Sequence, residues 1–258
     1  MRIKSFILVL ILCLAAPLSA KPQEPLKLDQ VLAKYYEAIG GLEKWNNLNT
    51  MVMQGTMKSQ GVTIPITAYH ERPYKCRIEF KVQGTTMAQI YGGYFAWQIN
   101  PLSGNPEPAP MSSGKTRYMK DTCGIESSLK DYKKKRHKVK LLGEEEIDGK
   151  NAYKINLKYN SGNIETFYID AKTFLLLRTV GLYNMDGSDL RTTTDFKQYK
   201  NIDGYVVPNN LVIQIHGNPE PEVINVSKFE FNTDIDSTIF DFPKENMEKM
   251  QQQLKEMK

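Results

Sequence analysis

Three histidines, His70, His137 and His216, are the first residues in this 258-residue chain to weigh for chemistry. Histidine metal ligands commonly sit one helical turn apart, and these three are isolated from one another. They read as lone structural histidines on strands. The sequence holds no Gly-x-Ser-x-Gly elbow to activate a serine and no glycine-rich loop ending in Lys-Ser or Lys-Thr to cradle a phosphate. Glu145 and Asp148 lie beside an Asp148-Gly149 turn, where they read as solvated loop charges rather than a glycosidase pair. No cofactor, no metal and no covalent catalysis are expected.

The remaining chemistry is non-covalent. Between Lys130 and Lys140 stands a basic run, Lys133-Lys134-Lys135-Arg136 with Lys138 and Lys140 just after it. It could touch anionic headgroups or an acidic partner, or it could be a solvated face. Cys76 and Cys123 could pair in an oxidising compartment, but sequence alone cannot place them within bonding distance.

The elements that must position these residues begin after a leader. Residues 1–20 have a positive start (Arg2, Lys4), an apolar stretch from Phe6 to Leu14, and Pro17. Leu18-Ser19-Ala20 then puts a small residue before Lys21, which is the pattern of a cleaved signal peptide. The apolar stretch is shorter than the ~20 residues a bilayer span needs. Leu10-Ile11-Leu12-Cys13 is a loose lipobox, with a large residue at Leu12, and lipidation is the lesser alternative. Cleavage after Ala20 leaves residues 21–258, a single periplasmic domain. Losing Arg2 and Lys4 takes the formal charge from +5 to +3. That mild balance argues against nucleic acid as a partner, and a monomer is expected.

A linker with Pro22 and Pro25 leads into an amphipathic helix. Leu28, Leu32, Tyr35 and Ile39 recur at helical spacing, Asp29 is the expected N-cap, and Gly40-Gly41 ends the helix. Trp45 is an expected core anchor. The period then changes to two. Val62, Ile64, Ile66 and Ala68 share one face of a strand, as do Tyr74, Cys76, Ile78, Phe80 and Val82 in the next. Short strands follow around 86–91 and 94–99. Residues 100–136, rich in proline and then polar and helix-compatible from Ser113 to Lys135, should interrupt the sheet and lie across one mouth. Strands resume from Val139 and form a meander to Phe231, with hairpin turns at Ser161-Gly162, Asp186-Gly187 and Asp203-Gly204. A charged tail, 244–258, should be a loose helix. About eleven strands, largely antiparallel, must twist and curl. The expected fold is therefore mainly β (α+β): a strongly curved antiparallel sheet wrapped around helices.

Several stretches resemble the LolA/LolB family of periplasmic lipoprotein carriers, in a superfamily that includes RseB-type sensors. Glu71-Arg72-Pro73-Tyr74-Lys75-Cys76-Arg77 resembles the family's arginine-proline turn and strand, and Tyr91 to Pro101 its following hairpin. Leu141-Leu142-Gly143 with Tyr153 to Leu157 resembles the strand pair after its lid helices, and Ile235 to Phe242 its ending. Gly40-Gly41-Leu42-Glu43-Lys44-Trp45 is similar to LolA-like proteins of the Bacteroidetes type. The resemblance implies a half-open barrel holding an apolar cavity under lid helices. It implies that Arg72 matches an arginine whose fork of donors latches the lid through backbone carbonyls; the plain alternative is a solvated charge at a strand start.

An acyl-chain cavity needs inward apolar residues, some of them adaptable. Met53, Met57 and Met87 are the adaptable candidates. Ile64, Ile66, Ile78, Phe80, Ile90, Trp97, Ile155, Leu157 and Phe167 are the others, each also readable as ordinary core. The leading expectation is a carrier that shields lipid or lipoprotein acyl chains between an inner-membrane donor and an outer-membrane acceptor. The rivals are an RseB-like envelope sensor on the same fold and, less favoured, a lipid-modifying or hydrolytic enzyme.

Overall fold

The computed structural model describes residues 25–256, so the expected signal peptide lies outside the described residues. The strands are β1 Thr50–Ser59, β2 Val62–Glu71, β3 Lys75–Val82, β4 Thr85–Tyr91, β5 Ala96–Asn100, β6 Asn105–Pro110, β7 Lys138–Ile147, β8 Lys150–Lys158, β9 Ile164–Asp170, β10 Leu176–Met185, β11 Ser188–Ile202, β12 Tyr205–Ile215 and β13 Glu222–Phe231. The helices are α1 Leu28–Ala38, α2 Leu42–Asn46, α3 Ser113–Thr122 and α4 Lys244–Glu256. All thirteen strands form one sheet, ordered β6-β5-β4-β3-β2-β1-β13-β12-β11-β10-β9-β8-β7. Its pairings are antiparallel, and β6 and β7 are its two edges. One apolar stripe of α1 packs with residues from β8, β9, β10 and β12 at once. Only a sheet curled around the helix could supply all four, and the result is the expected half-open barrel.

Two strands exceed the eleven read from alternation. β1 lies at the seam where β2 and β13 meet. Met51 and Val52 are both buried there, one on each face, which erases the polar-apolar alternation. β6 carries Pro106, Pro108 and Pro110. A proline at every second position removes donors from one side of a strand only, which suits an edge and discourages further pairing. At the other edge, Glu144, Glu145 and Glu146 belong to β7 rather than to a turn, and their exposed charges protect that edge in the same way.

Val31, Leu32 and Tyr35 of α1, with Ile39, Trp45 and Leu48, form one core cluster with Ile155, Leu157, Phe167, Ile169, Tyr205 and Val207. The N-cap is Lys27, not Asp29. Lys27 N donates to Gln30 Oε1 at 2.8 Å, while Asp29 sits in the first turn and complements the positive end of the helix dipole. Gly40, at φ 108°, has its α-carbon pressed onto the β11–β12 hairpin, where a Cβ would stand 2.0 Å from Gly204 O. The 100–136 insert also differs from its reading. Helix α3 ends at Thr122, and turns carry the chain on through Asp131 and Arg136, both at positive φ.

Candidate functional site

Helix α3 spans the concave side and touches both halves of the sheet. At its start, Asp186 Oδ1 in the β10–β11 hairpin accepts from Ser113 Oγ and from Gly114 N, each at 2.7 Å. Gly114 is required there, since a Cβ would stand 2.6 Å from Asp186 N. Midway, Tyr118 meets Tyr183 of β10 edge-on at 4.9 Å. On the opposite side Met119 is buried with Tyr91 and Ala96, and Ala96 N donates to Thr116 Oγ1 at 3.2 Å. At its end, Cys123 is disulfide-bonded to Cys76 of β3, with a Cα–Cα distance of 5.7 Å.

Beyond α3, residues 124–128 pass over a cavity of about 270 Å³. Tyr35, Ile39, Trp45, Phe167, Leu176 and Phe196 give it mostly apolar walls, and Ile125, Ser127 and Ser128 close it. Arg72 bonds to this segment and to the chain before β1. Its Nη2 donates to Trp45 O at 2.6 Å, its Nε to Leu48 O, and its Nη1 to Glu126 Oε1 at 3.1 Å. Nη2 also lies 2.7 Å from Glu126 Oε2. One guanidinium thus ties the end of β2, the α2–β1 connection and the insert together, using the planar fork that a lysine lacks.

A polar group faces the apolar cavity. Glu165 accepts from Tyr159 Oη, and that hydroxyl in turn takes a hydrogen bond of 2.9 Å from Ser128 Oγ. Asp121 accepts from Ser161 Oγ and from Asn163 Nδ2. Burial raises both carboxyls above their usual range, and the charge of Asp121 adds to the rise at Glu165. A carboxyl that titrates higher in the folded chain binds its proton more tightly there than after unfolding. Its ionisation therefore costs stability above the folded pKa, and that cost vanishes as pH falls below the unfolded value. Relative to a Glu165→Gln variant, the wild-type chain is expected to gain stability on acidification from pH 7 to 5. Urea midpoints at the two pH values check this, and parallel midpoints for the two proteins would refute it.

The three histidines lie apart from one another in the fold. His70 is buried, with Nδ1 3.3 Å from Cys123 O, and burial pushes its pKa down to about 4. His137 Nδ1 accepts from Asn160 N at 3.2 Å, and His216 is exposed. Among the described residues no cluster of His, Cys, Asp or Glu could hold a metal ion.

The twelve residues expected to line a cavity divide into three groups. Met53, Met57, Ile64, Ile66, Ile78, Phe80 and Met87 share one face of β1–β4, all half-buried. That face is the concave one, because Met53 pairs with Phe229, which packs against the α1 cluster. Ile155, Leu157 and Phe167 are buried under α1, and only Phe167 of the twelve borders the 270 Å³ cavity. Ile90 and Trp97 are a correction. They lie on the convex face with Phe240 and Phe242, where Trp97 Nε1 donates to Phe240 O at 3.3 Å. The C-terminal segment packs over them.

The basic run is likewise divided. Lys133, Lys134 and Arg136 are exposed, whereas Lys135 turns inward to within 4.0 Å of Glu126. Alternation in β11–β13 could have placed Phe196, Leu211 and Ile224 on one face, but nothing local says that this face is the concave one.

A curled antiparallel sheet crossed by a tethered insert is the fold of LolA-like proteins. Its solved likenesses include a LolA superfamily protein from Nitrosomonas europaea, 13% identical, at TM-score 0.58 over 86% of this chain and 99% of that one. A DUF1329 family protein from Desulfovibrio piger is 17% identical, at TM-score 0.55 over 82% and 97%. A domain from Vibrio parahaemolyticus named for outer membrane lipoprotein sorting is 17% identical, at TM-score 0.56 over 84% and 96%. No curated protein matches the sequence. A family model described as an uncharacterized protein matches residues 80–249, well over half of the chain, and the chain belongs to that family.

Proposed function

We propose that the protein is a periplasmic carrier that shields lipid or lipoprotein acyl chains and passes them from an inner-membrane donor to an outer-membrane acceptor. It acts as a monomer by binding and release, without a covalent step. The observation that carries this reading is a cross-strand row of half-buried apolar residues leading out of the cavity. Phe196, which lines the cavity, pairs with Leu211; Leu211 pairs with Ile224, Ile224 with Met57, and Met57 with Ile64. Directly opposed residues point to the same side of a sheet. Four strand spacings of ~4.8 Å make this row ~19 Å long, which suits an extended long-chain acyl group. Burying such a chain returns roughly 0.8 kcal/mol per CH₂.

In this reading Arg72 latches the segment over the cavity, and Lys133, Lys134 and Arg136 meet anionic headgroups during transfer. The test is mass spectrometry of lipid extracted from the protein purified without detergent, with fluorescent fatty-acid titration beside it. Stoichiometric lipid is expected. Met57→Asp is expected to weaken fatty-acid binding at least about tenfold, since it places a charge that must be desolvated in the row, with the thermal midpoint nearly unchanged. An empty protein that binds no fatty acid would overturn the proposal.

A further inference from the structure

Outside the covering segment lies a second pocket of about 440 Å³, lined largely by polar and charged residues. Gly124, Glu126 and Ser128 border both this pocket and the apolar cavity, so one strip of backbone separates the two. The outer pocket is also lined by Arg117, Lys120, Lys135, His137 and Tyr74. Its carboxylates are Asp121 and Glu126. Asp121 is engaged by Ser161 and Asn163. Glu126 is shared by three cations, Arg72 at 2.7 Å, Lys130 at 3.5 Å and Lys135 at 4.0 Å. The pocket's own lining sets three cations, Arg117, Lys120 and Lys135, against these two carboxylates, and Lys120 is exposed.

We propose that this pocket binds a phosphate group, the headgroup of a phospholipid whose acyl chains occupy the apolar cavity behind it. The proposal deepens the carrier reading and rests on it for the acyl half. Clustered cations of this kind hold phosphate oxygens through charge-assisted hydrogen bonds. The histidine adds a directed donor: with Nδ1 accepting from Asn160 N, the neutral ring carries its proton on Nε2. Burial, and after it the charges of Lys135 and Lys120, hold His137 below the usual imidazole range. A carrier so built would distinguish a phospholipid from an uncharged diacyl chain at the mouth, leaving the apolar row tolerant of chain length.

Calorimetric titration of the mature protein with three probes tests this: dihexanoylphosphatidic acid, dihexanoylglycerol and inorganic phosphate. Lys120→Gln and Lys135→Gln are expected to lose about tenfold or more in affinity for the phosphatidic acid, Lys120→Gln with dihexanoylglycerol affinity unchanged. Lys120 makes no contact with the latch, so its variant separates anion binding from loosening of the insert. Unchanged phosphatidic acid affinity in both variants would overturn the proposal, and so would wild-type affinity no greater for the phosphatidic acid than for dihexanoylglycerol. Inorganic phosphate binding as tightly as the lipid, with the same losses, would assign the pocket to free phosphate instead of a headgroup. Phosphate binding without either dihexanoyl probe would refute the carrier reading while the anion site stands.

Discussion

Replacing Cys76 and Cys123 together by alanine is expected to lower the unfolding free energy by about 4 kcal/mol, the loop-closure entropy for a bridge across a sequence separation of 47. For a domain of this size that corresponds to a fall of roughly 8–16 °C in thermal midpoint. Alanine is the right replacement because both cysteines are buried, at 0% and 4% exposure, and serine would add unpaired hydroxyls. The bridge joins the concave face of β3 to the end of α3, so the effect should concentrate in the insert. Amide exchange in residues 113–128 is expected to accelerate more than exchange in β8–β12, whose core under α1 does not depend on the bridge. Reductant should bring the wild-type midpoint to that of the variant and leave the variant unmoved. Equal midpoints for wild type and variant would mean that the contacts of α3 with Asp186, Tyr183 and Ala96 hold the insert without it.

The architecture was legible where one face of a strand is wet. In β8, buried Tyr153, Ile155 and Leu157 alternate with half-buried or exposed Lys154, Asn156 and Lys158, and the strand follows from the sequence. It was illegible at β1, where the seam buries Met51 and Val52 on opposite faces, and at β6, where prolines mimic a loop. The site was legible only in part, because alternation says which residues share a face but not which face is concave. Ile78 and Ile90 look alike in sequence. The structure separates them through Phe240 and Phe242, and the deciding contact of Trp97 spans 143 residues. The path from Phe196 to Ile64 also rests on the closure of β1 against β13, a pairing set by topology rather than by any short pattern. Arg72 was singled out through its family resemblance; its partners Trp45, Leu48 and Glu126 lie too far along the chain for spacing to reveal.

Arg72→Ala is expected to destabilise the chain and, more tellingly, to open it. The substitution leaves the carbonyls of Trp45 and Leu48 without this donor and leaves Glu126, whose side chain is only 9% exposed, to Lys130 and Lys135 alone. Removing one partner of a fully buried pair costs ~3–5 kcal/mol. Arg72 is 24% exposed, so solvent screening brings the expectation to about 2–3 kcal/mol. Arg72→Lys should recover only part of this, because an ammonium keeps the charge but cannot serve two backbone carbonyls and a carboxylate in one plane. If Arg72 latches the cover, amide exchange in residues 124–128 rises well beyond the global change, and release of a bound fluorescent fatty acid quickens about tenfold, the kinetic equivalent of ~1.4 kcal/mol. A lower midpoint with unchanged exchange at 124–128 and unchanged release would sink the latch. Arg72 would then be a brace for the α2–β1 connection, and the cover over the cavity would be held by the disulfide and by Asp121.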